Sequence, residues 1–174
     1  MNASRLLAAA SAVFITGGCT IPAVSSAPTG ATATPAAPGR YGATESRIFD
    51  LINRERRHQG LPALVFNTQL DQMANIQAQN MAHFQKMAHV IPEASLPKLG
   101  DRARYVGYPF GRLAENVALG YPDAETVVQG WMTSKGHRAN ILNSDVVETG
   151  IAIARSSGGG LYYCQVFGRR LSSL

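Results

Sequence analysis

An α+β fold, with helices surrounding a small, mostly antiparallel sheet, is what this chain's residue pattern predicts. Apolar residues recur at helical spacing in three separate windows, each preceded by a residue able to cap a helix. Two strand-like runs, residues 150–154 and 161–167, follow them, divided by the flexible connection Ser156-Ser157-Gly158-Gly159-Gly160. Between helices and strands lies the run from Gly130 to Ala154, which holds the chain's one tryptophan, a Gly136-His137-Arg138 turn and an apolar strand. That order suggests a site: a helix delivers Trp131 to a core, and an imidazole lands where the chain turns toward a sheet.

The first helix is expected to start at a Thr44 cap, to bury Ile48, Leu51 and Ile52, and to end at Gly60 and Pro62. Asn67 is placed to cap a second helix, with Leu70, Met73, Ala74, Gln77 and Met81 on one stripe. Residues 88–112 contain several prolines and glycines without a clean period, and read as a long ordered loop. Asp123 is placed to cap a third helix through Val127, Val128, Trp131 and Met132. Trp131 reads as core.

The N-terminal part reads differently. Residues 1–19 have the pattern of an export signal: Arg5, an apolar run too short to span a bilayer, then Gly17, Gly18 and Cys19. This resembles a bacterial lipobox, which implies lipidation of Cys19 after cleavage. Thr16 stands where a large aliphatic residue is usual, and a secretory signal cut near Ala23 or Ala27 is the alternative. Thr20 after Cys19 favours the outer membrane in a cell that has two. Residues 20–43 are Pro, Ala, Thr, Ser and Gly with little charge, a composition that cannot bury enough apolar surface to offset its ordering entropy. They read as a tether holding one domain, residues 44–174, off a membrane surface.

A net charge of +5 comes with a basic cluster, Arg54, Arg56 and Arg57, and an Arg169-Arg170 tail. No aromatic residues interleave these, which argues against nucleic acid; solvated surface is the plain reading, weak attraction to anionic envelope polymers or headgroups the sharper one. With Cys19 lipidated, Cys164 is left unpaired and reads as a small buried apolar residue.

The run from Gly130 to Ala154, together with Leu113-Ala114-Glu115-Asn116-Val117-Ala118, resembles the signatures of the bacterial branch of the CAP superfamily, or SCP domain. That superfamily is named for cysteine-rich secretory proteins, antigen 5 and pathogenesis-related 1 proteins. The resemblance implies a three-layer α-β-α sandwich from Thr44 onward. It also implies a cleft in which His89, Glu115 and His137 meet, while a second acid of many eukaryotic members falls on Ser134. Two imidazoles and one carboxylate could hold a divalent ion, zinc or calcium, with an open position for water. Spacings of 26 and 22 residues form no compact metal signature, so only the resemblance unites the three. Asn116 and Asn140 are expected to satisfy loop backbone groups, and Arg138 to pair with Glu148. His58 reads as surface at a helix end and His83 as structural. The functions this allows are an envelope module binding a lipid or cell-envelope polymer, a metal-assisted hydrolase of peptides or envelope polymers, and a structural envelope protein. A Ser134–His137–Glu115 triad lacks any nucleophile-elbow sequence.

Overall fold

The computed structural model describes residues 13–16, by backbone alone, and residues 42–171. The proposed tether, and most of the proposed export signal including Cys19, lie outside these residues. Within the proposed signal, β1 (Val13–Thr16) runs antiparallel to β3 (Phe110–Leu119), with Val13 opposite Glu115. The other strands are β2 (Val65–Phe66), β4 (Glu148–Arg155) and β5 (Leu161–Arg170), in the spatial order β1-β3-β5-β4-β2. Only the β2–β4 pair is parallel, so the sheet is mixed and mostly antiparallel.

The helices are α1 (Ala43–His58), α2 (Thr68–Phe84), α3 (Leu99–Tyr105), α4 (Ala124–Thr133) and α5 (Lys135–Ile141). Strand side chains alternate between the two faces of a sheet, and two apolar cores follow from this. Leu113, Val117, Ala152, Ala154, Tyr162, Cys164 and Val166 meet α2 and α3 on one face. Ala114, Ala118, Ile151, Tyr163 and Phe167 meet α1, α4 and α5 on the other. The molecule is therefore the three-layer sandwich the sequence implies.

Local chemistry accounts for most boundaries. Asn67 accepts from the backbone N–H groups of Gln69 and Leu70 at 2.9 and 3.1 Å, capping α2, and Asp123 accepts from Thr126 at 2.8 Å, capping α4. All five apolar-stripe residues expected of α2 are fully buried. At Gly150 the backbone of α2 at Leu70 and Asp71 lies so close to β4 that a Cβ would collide with it, which explains a glycine inside a strand.

Four expectations need correction. Thr44 does not cap α1: the helix begins one residue earlier, after Gly42, without a side-chain cap. Residues 88–112 are not one loop, because α3 and the start of β3 lie inside them. Leu99, Arg102 and Ala103 share the buried side of α3, but a seven-residue helix completes too few turns to show a period. Arg56 is not solvated surface. It is 1% exposed and donates to the carbonyls of Pro62, Ile141, Asn143 and Val146, tying α1 to the segment between α5 and β4. Finally, Glu148 does not pair with Arg138, which is exposed. It accepts from Asn67 Nδ2 at 2.8 Å and the Tyr108 hydroxyl at 2.6 Å, with Arg170 Nε at 3.6 Å.

Candidate functional site

Strand alternation decides where the signature side chains go. Glu115 shares the α2/α3 face with Leu113 and Val117, whereas Asn116 points to the α4/α5 face with Ala114 and Ala118. Glu115 is fully buried. One carboxylate oxygen lies 2.9 Å from His89 Nδ1, and the other accepts from Arg102 Nη2 at 2.5 Å, inside an ion pair with no solvent exposure on either side chain. A carboxylate has no proton to give, so Nδ1 of His89 carries the hydrogen. The Cys164 thiol, 3.5 Å from the second oxygen, completes the surroundings. Burial, followed by the Glu115 charge, pushes that thiol well above its ordinary range and keeps it protonated.

Arg102 links this acid to a second anchor. Its Nη1 donates to Gln77 Oε1 at 2.6 Å, and Gln77 Nε2 donates to the carbonyl of Ala88 at 2.5 Å. Ala88 and His89 are neighbours in the chain. The connection after α2 is thus gripped at consecutive residues, by a backbone bond to Gln77 and an imidazole bond to Glu115, with Arg102 joining the two grips. Both Arg102 and Gln77 are fully buried. Sequence reading missed Arg102, because α3 is too short for the spacing of Leu99, Arg102 and Ala103 to stand out as one helical face.

His137 approaches from the other side, on α5. It is 6% exposed, and its ring meets Trp131 edge-on with centroids 6.5 Å apart. Its Nε2 has no partner among the described residues. Burial first, and the charge of nearby His89 second, lower its pKa from 6.5 to about 4, so the ring is neutral at neutral pH. Asn116 and Asn140 hold the segment in place. Asn116 Nδ2 donates to the His137 carbonyl at 3.2 Å, and Asn140 Nδ2 donates to the Glu115 carbonyl at 3.2 Å and to Asn116 Oδ1 at 2.9 Å. Ser134 sits at the junction of α4 and α5, its side chain making no cap bond. His58 and His83 are exposed on α1 and α2.

Of the three side chains expected to meet, His89 and Glu115 are in bonding contact, and His137 lies within electrostatic reach of His89. No cluster of three or more His, Cys, Asp or Glu residues suited to an ion occurs among the described residues, and the carboxylate that would carry the negative charge is already neutralised by Arg102. What this arrangement can do is hold a loop rigidly and present one imidazole, with a side chain 10% exposed, beside a second, neutral one.

A three-layer sandwich with this histidine–acid pairing on β3 defines an SCP-type domain. The chain belongs to the cysteine-rich secretory protein family, CAP, which it matches over residues 49–167. It is 32% identical over 136 residues to the uncharacterized protein YkwD of Bacillus subtilis, covering 78% of this chain and 51% of that one. It is also 32% identical over 127 residues to the uncharacterized membrane protein YlbC of the same organism, covering 73% of this chain and 35% of that one. Among solved structures it is similar to an extracellular protein containing an SCP domain from Bacillus anthracis. There the TM-score is 0.67 at 31% identity, over 73% of this chain and 40% of that one. The chain thus spans about half or less of the length of these relatives. No helix among the described residues is long and apolar enough to cross a membrane.

Proposed function

We propose that this chain is an exported, envelope-anchored CAP domain working as a non-enzymatic binding module, with the surface bearing His89 and His137 facing a lipid or cell-envelope polymer. The observation that carries the reading is the state of Glu115. Both of its oxygens are engaged, one by a buried guanidinium, so it neither activates water nor balances the charge of a divalent ion. The extracellular and membrane descriptions of two relatives agree with export, and a lipidated Cys19 would supply the anchor. Mass spectrometry of the mature N-terminus tests that part: a diacylglyceryl-cysteine is expected, and a free N-terminus beyond Ala23 would replace the anchor with plain secretion.

The grip on Ala88 and His89 favours a second reading, a structural envelope protein. Sedimentation with phospholipid vesicles and with purified wall polymer, for the parent and for His89→Ala and His137→Ala, separates the two. The binding module predicts that the parent co-sediments with one of these and that the variants lose affinity while still folded. The structural reading predicts lower melting temperatures and no binding by any of the three proteins. Stoichiometric zinc or calcium uptake that His137→Ala abolishes would revive the hydrolase.

A further inference from the structure

A second concave surface lies away from the histidines, on the outer side of α2. Gln72, Asn75 and Ile76 of α2, Tyr105 at the end of α3, and Val106 line a groove of about 440 Å³, a size typical of small-ligand sites, which run roughly 300–1,000 Å³. Tyr105 is 72% exposed, the most solvent-open of the large apolar side chains described. Gln72 and Asn75 are exposed amides, while Ile76 and Val106 are half-buried and form an apolar floor. The rim is fixed in advance. Gln69 Nε2 donates to the carbonyls of Val106 and Gly107 at 2.8 Å each, and Gly107 takes the left-handed conformation, φ +68°, that ends α3. Asn75 also borders a smaller hollow of about 150 Å³, lined by Glu45, Asp71 and the outer edge of β4 at residues 151–153. That edge lies beyond the β2 pairing, which stops at Thr149.

We infer that these adjoining hollows form a binding surface for a neutral oligosaccharide. An exposed phenol ring offers its flat face to the C–H face of a sugar ring. Two amides beside it supply both donors and acceptors, which matches hydroxyl and acetamido groups better than groups of one polarity. The carboxylates of the smaller hollow accept hydroxyl hydrogens and repel polyphosphates and anionic headgroups. Arg104, beside Tyr105 in the chain, is turned to Asp101 at 2.6 Å, and Arg170, the cation at the rim, is held by Gln69 Oε1 at 2.6 Å with the Glu148 carboxylate 3.6 Å away. Two hollows sharing one asparagine suit a chain of sugar units more than a single ring. With the rim already held by Gln69, little ordering cost opposes binding.

The probe is the tetramer of N-acetylglucosamine, titrated into the full chain and followed by calorimetry and by amide shifts in ¹H–¹⁵N spectra. Saturable binding is expected, with shifts at Gln72, Asn75, Tyr105 and Val106. Tyr105→Ala should weaken it about tenfold, the loss of one stacked ring, with an unchanged melting temperature because the side chain stands in solvent. Asn75→Ala should weaken it by a smaller factor, and His89→Ala should leave it unaltered, which separates this surface from the histidine one. Absence of saturable binding by the parent, equal affinity of Tyr105→Ala and parent, or preference for a polyglycerol phosphate over the neutral tetramer would each overturn the inference.

Discussion

The two faces of the sheet solve the same packing problem with different chemistry. Toward α1, α4 and α5 the core is apolar around Trp131, and its buried polar groups, the amides Asn116 and Asn140 and the guanidinium of Arg56, bond to main-chain carbonyls. Toward α2 and α3 an equally apolar core encloses a guanidinium, a carboxylate and an imidazole edge. Amides cost little to bury when bonded. Charges cost several kcal/mol each and repay it only in good geometry with every partner present. The face where charge pairs with charge should therefore be the brittle one, because a single deletion strands a buried charged partner, and the amide-rich face, whose polar groups and Arg56 bond to neutral main-chain atoms, should yield by smaller steps.

Breaking the charged face gives the largest effect. Glu115→Ala leaves Arg102 buried and unpaired and releases His89. A loss of about 3–5 kcal/mol in denaturant unfolding is expected, with hydrogen exchange quickening around Ala88 and His89 first. Loss of under about 1 kcal/mol would place the pair in a wetter setting than its burial implies. Next comes Gly150→Ala. A methyl there meets the backbone of α2, which cannot swing aside as a side chain could, and overpacking of this kind costs about 1–3 kcal/mol. Because Gly150 serves the same face without any charge, its effect should not vary with salt or pH.

The amide face can be sharpened by pH. His137 is held neutral in the folded chain, with a pKa of about 4 against 6.5 unperturbed. Above pH 6.5 neither state binds a proton there, and the residue adds no pH dependence. As pH falls from 6.5 toward 4 the unfolded chain takes up a proton that the folded chain refuses, so stability declines across that window and levels off below it. In His137→Gln that part of the decline should disappear, a difference of up to about 1.4 kcal/mol per pH unit between parent and variant slopes inside the window. Parallel slopes would mean that the ring is hydrated.

How much of this was legible in the sequence depended on the range of the interaction involved. Asn67 and Asp123 act on backbone two or three residues away, and both caps could be read directly. The stripe from Leu70 to Met81 spans three turns and showed its period. α3 is too short to do so, and Arg102 inside it was hidden along with the ion pair that decides the site's chemistry. Arg56 failed for a related reason: between two exposed arginines it looks like surface, and three of the four carbonyls that hold it lie 85–90 residues away. The meeting of His89 with Glu115 came from family resemblance, since nothing in the 26-residue separation specifies it. Resemblance did not foresee that the carboxylate is shared with a guanidinium.

A double-mutant cycle on Arg102 and Glu115 bears most directly on the claim that this acid is a closed structural anchor and not an open ligand. Arg102→Met, Glu115→Gln and the combined variant would be compared with the parent by urea unfolding at neutral pH and moderate salt. A coupling energy of at least about 1.5 kcal/mol is expected, with the combined variant more stable than the two single losses sum to. Additive losses, with coupling inside about 0.5 kcal/mol, would show the two side chains acting independently and leave Glu115 available to a ligand.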